Sequence, residues 1–430
     1  MRHGSEEKKM FWKRSPMAVL AALLAIHLLA HIDRNILLGF SLQVTQDLGL
    51  SHAQYGFLVG AVWVRSFGFM AVFMGTLADR FSRPRVIAAG LLIWSVCTAA
   101  SGQARTFEQM VAARFLVASG EAALVPAAVA LLAELFSERR RGTAIGLFFM
   151  GIPLGIGFSF LLAGTFGATH GWRDTFTTLG IIGAAVSVPL ALLGETRGTV
   201  QASERGAPFL TQVRHVFLLM RGHAIVWQVI AGFVLVHLAF AGLSFMQLWL
   251  VRERGLDAAG IARTIGGLQI AFGAFGSLAG GALGDRFARR FAGGHATFMA
   301  LLVVLCAPLM IAGRFAAPGS PLLYAGLCAS FFLPLAMYGP ANAVIQGSTP
   351  LPMRSTVAGS TMLLINVFAI AIGNAAVGAA IDHLTAQGAA APMTTVLVAT
   401  DMAAAVSLVF FVLAARRLRS SQRLGLAAAT

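Results

Sequence analysis

The chain's 430 residues are 57% hydrophobic and 11% charged, whereas soluble domains carry about 25% charged residues. So few charges cannot cover a water-facing surface, which excludes a soluble globular protein and points to many membrane spans of about 20 apolar residues each. The net charge of +15 does not indicate a nucleic-acid partner, because the basic residues gather in short segments between the apolar runs.

Taken in chain order, a charged segment, 1–15, precedes six apolar runs at 16–41, 53–78, 85–102, 107–134, 142–167 and 174–194. A mixed linker, 195–221, follows. Six more runs then lie at 223–250, 258–283, 296–315, 320–347, 355–381 and 393–415. In hydrocarbon every backbone polar group must be satisfied within its own segment, so these runs are helices. The runs lack the apolar–polar alternation of a strand barrel. The expectation is an all-α membrane protein of twelve helices: an N-terminal half 16–194, a linker 195–221, a C-terminal half 222–417 and a basic, flexible tail 418–430.

With an even number of spans, both termini lie on one face. That face carries 23 of the 32 Lys and Arg and the other carries 6, with Arg34, Arg65 and Arg114 inside spans. By the positive-inside rule the termini and the linker are cytoplasmic. The excess of Arg over Lys and the abundance of Ala suggest a GC-rich bacterial source, hence an inner membrane. Cys97, Cys306 and Cys328 all fall in apolar runs and read as neither disulfides nor metal ligands.

Charges inside the spans are the main functional signal, because each costs at least about 2.5–3.5 kcal/mol at mid-bilayer. The first run contains "HIDRNIL", with Asp33 beside Arg34; the second contains Arg65; the fourth contains Arg114 and Glu121. If all are ionised, these three cations and two anions leave one positive charge for an anionic substrate to balance. Successive helical residues diverge by about 100°, so Asp33 and Arg34 face different neighbours. Arg114 and Glu121 share a face about 10 Å apart, too far for a direct bond. Depth in the membrane suggests instead the pairs Asp33–Arg114 and Glu121–Arg65.

Weaker signals follow along the chain. "GIPLGIG" in the fifth run supplies Gly151, Pro153, Gly155 and Gly157, a face for close helix packing. In the second half, His237, Gln247, Tyr338, Asn342, Asn366 and Asn374 are polar groups suited to interhelical bonding or to lining a cavity. Asp401, in the last run, is a candidate for a further buried acid, with an interfacial position near the outer face expected for it.

"GTLADRFSRPR" from Gly75 recurs as "GALGDRFARRF" from Gly281, at a constant offset of 206 residues, each time between the second and third runs of its half. The duplicated Gly-x-Leu-x-Asp-Arg-x-x-Arg loop resembles the signature of the major facilitator superfamily, whose halves are parallel repeats. "HIDRNIL", "ARFLVASGEAALVPAAVALLAELFSERRRGTAIGLFFMGIPLGIG" and "YGPANAVIQ" further resemble the spinster-type lipid transporters. The proton-coupled organic-anion symporters share Asp-Arg in helix 1 and Arg with Glu in helix 4, and are the rival branch.

The resemblance implies a cytoplasmic gate at Gly75, Asp79, Arg80, Arg83, Asp285 and Arg286. It implies protonation sites at Asp33 and Glu121, with Arg114 holding one of the acids. Arg34 would engage an anionic head group, since its planar fork matches phosphate or carboxylate. Arg65 departs from the family pattern, and either adds to anion binding or neutralises Glu121. Tyr338, Asn342 and Asn366 complete the candidate substrate contacts.

The expected function is proton-coupled secondary transport of a lysolipid or other amphipathic anion. Symport of small organic anions such as sugar acids, or efflux by proton exchange, are the alternatives. The partners are the substrate, protons and the bilayer, with the chain a monomer and the proton gradient in place of a cofactor. An enzyme is not expected, since there is no His-Glu-x-x-His, and Gly-x-x-x-x-Gly-Lys, which ATP-driven transport would need, is absent too.

Overall fold

The computed structural model describes residues 15–191, 223–349 and 354–427. The linker 195–221 and almost all of the segment 1–15 lie outside the described residues. Among the described residues there are helices and no strands, and eleven helices are long and apolar enough to cross a membrane. They are α1 (Pro16–Gly39), α3 (Arg83–Gly102), α4 (Phe107–Leu135), α5 (Thr143–Gly164), α6 (Phe166–Ala191), α7 (Ala224–Ser244), α8 (Ala258–Arg290), α9 (Gly294–Phe315), α10 (Pro321–Gly347), α11 (Val357–Ala386) and α12 (Pro392–Ala427). A further helix, α2 (Val62–Arg80), follows α1 after a π-helical lead-in, Phe57–Ala61.

Local chemistry sets many of the boundaries. Proline opens α1, α3 and α10, where its missing N–H costs nothing. Thr106 and Ser320 cap α4 and α10 through the N–H groups of Gln109 and Leu323. Some boundaries differ from the sequence reading. Within α6, Gly171 (φ +78°, ψ 173°) is non-helical, so a short turn from Phe166 precedes the main helix, which starts close to the expected 174. α8 runs to Arg290, past the expected 283. α12 runs to Ala427, so most of the basic tail is helical rather than irregular. Its Arg, Leu, Gln and Ala residues are good helix formers.

The chain forms two compact units, 1–205 with 258–267, and 206–257 with 268–430. In the first, α5 packs along α1 and α6 along α3, around a core that includes Ile87, Leu91, Trp94, Val117 and Leu132. α3 and α4 meet at glycines: a Cβ on Gly120 would lie 2.6 Å from the Gly90 carbonyl oxygen, and one on Gly90 2.6 Å from that of Gly120. Small residues at such crossings let backbones touch. Here the contact fixes the height of Glu121, the next residue.

In the second unit, α12 packs against α7 and α9, with Phe233, Val303 and Phe411 in the core. Asp401 is fully buried, as the reading of a further buried acid expects. Its partner is Arg314 of α9, which sequence counting had placed among the outer-face charges. Arg314 Nε donates to Asp401 Oδ2 at 2.8 Å and Nη2 to Oδ1 at 3.3 Å, with its Cζ 4.8 Å from the centre of the Trp249 ring. Trp249 Nε1 donates to Thr394 Oγ1. The Glu253 carboxylate accepts from the N–H groups of Met393 and Thr394 at the start of α12, where a negative charge complements the helix dipole. α12 is not peripheral within its unit, and its packing against α7 and α9 encloses Asp401.

Removing one member of a buried ion pair leaves the other charge desolvated, at a cost of about 3–5 kcal/mol, whereas an apolar replacement of both is often neutral. Asp401→Ala should therefore lower the thermal-unfolding midpoint in detergent sharply. The double variant Arg314→Met/Asp401→Leu should recover most of the loss.

Candidate functional site

The charges of α1 and α4 come together in the first unit. Asp33 is fully buried, and neither of its carboxyl oxygens has a hydrogen-bond partner. The indole of Trp94 lies beside it, but its Nε1 is also unpartnered. Arg34, about 100° round the helix, points elsewhere. Its Nε and Nη2 donate to Glu121 Oε2 at 3.1 and 2.8 Å. Trp63 Nε1 donates to the same oxygen at 2.9 Å.

One carboxylate oxygen thus takes three donors while Glu121 Oε1 stays buried without one. The Arg34 guanidinium also lies flat on Trp63, with Cζ 3.7 Å from the ring centroid. Cation–π contacts of this kind stabilise by about 0.5–2 kcal/mol. Phe67 stacks on Trp63 at 4.5 Å between centroids, forming an aromatic wall beside the cation. The Arg34 side chain keeps 26% of its surface exposed, against 1% for Glu121, so the pair has one accessible edge and it belongs to the arginine.

Arg114 serves the backbone of α1. Its Nη1 donates to the Asp33 carbonyl at 2.9 Å and its Nη2 to the Arg34 carbonyl at 2.8 Å. The expected meeting of Asp33 and Arg114 therefore occurs, but at the main-chain oxygen rather than at the carboxylate. The guanidinium fork spans two successive carbonyls and fixes the direction of both side chains. α4 breaks just after Glu121, at Ala122. Pro126 lacks the N–H that would bond the Ala122 carbonyl.

The expected Glu121–Arg65 pair does not form. Arg65 lies on an exposed face of α2 with Gly68 and Phe69. Trp63, Ser66 and Phe67 occupy the inward face, where Ser66 Oγ bonds the Phe115 carbonyl at 2.5 Å and Ser119 Oγ at 2.8 Å. Two residues on a helix diverge by about 200°, which turns Arg65 away from the neighbours of Trp63. Sequence reading missed Trp63. The signal was available in its spacing from Ser66 and Phe67, but a tryptophan in an apolar run carries no charge to draw notice.

In the second unit, Tyr338 and Asn366 are half-buried. Tyr338 packs edge-on against Phe233 and His237. Asn342 and Asn374 donate to carbonyls four residues back on their own helices, as His237 does, rather than bonding across helices. Asn366 lies in a π-helical stretch of α11, Ile365–Ile372, a distortion frequent at functional sites.

Of the expected gate, Gly75, Asp79 and Arg80 lie outside the described side chains. Arg83 bonds Glu134 of α4 at 2.7 Å. Asp285 lies 3.6 Å from His295 Nε2, and Arg286 is exposed. Among the described residues, no group of three or more His, Cys, Asp or Glu is placed to hold a metal.

The model of the Major Facilitator Superfamily matches residues 23–374 of this chain. An MFS-type efflux pump of Mycolicibacterium smegmatis is 28% identical over 376 residues, 86% of each protein. A sphingosine-1-phosphate transporter of Xenopus tropicalis is 26% identical over 212 residues, 48% of this chain but only 41% of that protein. In structure, the chain is similar to a bacterial homolog of the human lysosomal transporter Spinster in an inward-facing, unoccupied conformation. The TM-score is 0.79 at 22% identity, covering 93% of this chain and 97% of that one. That likeness is one of fold.

The geometry separates the arginines experimentally. Arg114→Lys supplies one point donor where two carbonyls need a fork, and bonds from a charged donor contribute about 1.5–3 kcal/mol each. It should lower the unfolding midpoint in detergent clearly. Arg65→Ala should leave the midpoint nearly unchanged, since surface substitutions alter stability by no more than about 0.5 kcal/mol.

Proposed function

This chain belongs to the Major Facilitator Superfamily, and we propose that within it the chain works as a proton-coupled secondary transporter of a lysolipid or another amphipathic anion. It is a multi-pass membrane transporter rather than an enzyme. The observation that carries the proposal is the set of carboxyl oxygens on α1 and α4: both of Asp33 and one of Glu121 are buried without a partner, while the other Glu121 oxygen holds Arg34 and Trp63.

A buried charge without a partner is costly, so Asp33 is carried in its neutral, proton-loaded form. Glu121 Oε2 takes three donors, two from Arg34 and one from Trp63. Protonating Glu121 removes the charge that binds Arg34 and frees the guanidinium for a phosphate or carboxylate. An anion arriving at the exposed edge of Arg34 likewise weakens its hold on Glu121 and favours proton uptake there. Linkage makes the two effects equal and reciprocal. A ligand can drive alternating access only through a difference in affinity between states, and this exchange of partners at Arg34 supplies one.

The Trp63–Phe67 wall beside the cation supports an amphipathic substrate, as does the likeness to a sphingosine-1-phosphate transporter. A second reading, proton-exchange efflux, rests on the likeness to an efflux pump that spans 86% of both chains. The proposal further comprises twelve spans in two halves, both termini and the linker in the cytoplasm, and a monomer in a bacterial inner membrane. Asp79, Arg80, Asp285 and Arg286 serve the cytoplasmic gate, and Tyr338, Asn342 and Asn366 are substrate contacts from the second half. The energy source is the proton gradient, without a cofactor.

The test is reconstitution in liposomes holding an internal pH dye, with an anionic lysophospholipid and, separately, a panel of sugar acids. Protein-dependent proton movement with the lysolipid is expected; movement with the sugar acids alone transfers the assignment to small-anion symport. Glu121→Gln should abolish gradient-driven accumulation and preserve counterflow of preloaded substrate. Full accumulation by Glu121→Gln would remove Glu121 from the coupling role.

A further inference from the structure

Two histidines of α1 have no part in the arrangement above. His27 is 2% exposed and His31 6%, one turn apart, with ring centroids at 4.7 Å in an edge-to-face arrangement. His27 Nδ1 donates to the Phe148 carbonyl at 2.8 Å, and its ring stacks on Phe148. That bond fixes the proton on Nδ1 and leaves Nε2 as the basic nitrogen. His31 Nδ1 is buried with no partner, an exception among buried polar groups that calls for a reason.

The fifth helix makes room for both rings. A Cβ on Gly151 would come within 2.8 Å of His27 Nδ1, and one on Gly155 within 2.4 Å of His31 Cβ. Gly151 thus leaves space for the His27 ring, and Gly155 lets α5 approach the α1 backbone at His31. At 100° per residue, His27, His31 and Arg34 fall on one stripe of α1 about 10 Å long, while Asp33 points away from it. The Arg34 charge acts on both imidazoles.

We propose that His27 and His31 are the proton's route along α1 to the Arg34–Glu121 pair, opened when an anionic substrate engages Arg34. The proposal rests on the proton-coupled reading above. A proton leaves a hydronium O–H for the free nitrogen of the first imidazole, and each N–H formed is broken as the next acceptor takes the proton, which ends as the Glu121 O–H.

The gating is electrostatic. The charge that acts on both rings is that of Arg34; α1 also carries Asp33 on another face, and α4, packed against α1, carries Arg114 and Glu121. Glu134, further along α4, is bound to Arg83. α5 faces the rings with Phe148, Phe149, Gly151 and Gly155, and α6 carries no ionisable residue from Thr175 to Ala191. Without substrate, Arg34 holds the Glu121 carboxylate, the acceptor at the end of the route. An anion on Arg34 weakens that hold and frees the carboxylate, so protons pass only with substrate.

The experiment compares the wild type with His27→Gln/His31→Gln in liposomes, using lysophosphatidylglycerol as the probe. Gradient-driven accumulation in the double variant should fall about a hundredfold or more, the low end for loss of a positioned proton carrier, with counterflow retained. A wild type that shows no gradient-driven accumulation defeats the proton-coupled reading and this inference with it. A wild type that accumulates the probe, matched in full by the double variant, overturns the relay alone.

If the variant also loses counterflow, the wild type decides by ¹⁵N-histidine NMR in bilayers between about pH 5 and 8, the range in which histidine ordinarily titrates. Resonances of His27 and His31 that shift or exchange on adding the probe support the relay. Both rings locked in one neutral tautomer throughout would overturn it.

Discussion

A charge removed from water must find its counter-charge and its hydrogen bonds inside the protein, and in this chain Glu121 Oε2 is where that requirement is concentrated. Arg34 and Trp63 converge on it from two other helices, and the glycine crossing of α3 and α4 sets its height. Arg114 holds the α1 backbone so that Arg34 points at it and Asp33 does not. Shifting any of these would leave a buried ion without compensation. The cluster is therefore both a fastening for α1, α2 and α4 and the place where a proton or an anion has the largest effect.

The two units use buried ion pairs differently. In the second, Arg314 and Asp401 are almost completely enclosed beside a tryptophan, with both Asp401 oxygens bonded and Arg314 Nη1 alone of the pair left unpartnered. No accessible edge is left, which suits a permanent fastening of α9 to α12. In the first, the Arg34 edge is open and three carboxyl oxygens lack partners. Incomplete satisfaction is what makes an exchange of partners possible, since a fully bonded network gains nothing from a new ligand.

The intramembrane charges, their clustering on the first and fourth helices and the duplicated Asp-Arg loop were all legible in the chain. So was the superfamily, because a motif at fixed spacing and a constant 206-residue offset survive without knowledge of packing. The partners of the charges were not legible. Depth along a helix ranked Arg65 as a neighbour of Glu121 because depth says nothing about azimuth across helices. Arg114 was placed near Asp33 correctly, but a sequence has no means of telling a carboxylate from a main-chain carbonyl as its acceptor. Trp63 was overlooked for the opposite reason: its role depends on one N–H that composition scores as apolar.

By itself the sequence determined that the chain lives in lipid, that it is helical, and where nearly every span begins and ends. Hydrocarbon permits few alternatives to a satisfied helix, and apolar length is a local property. Tertiary structure alone decided which face each helix presents and therefore which charges meet. It turned Asp401 inward onto Arg314, Arg65 outward, and the glycines of "GIPLGIG" onto two histidines. Those outcomes depend on the rotation of one helix against another, a long-range packing choice that residue order does not encode locally.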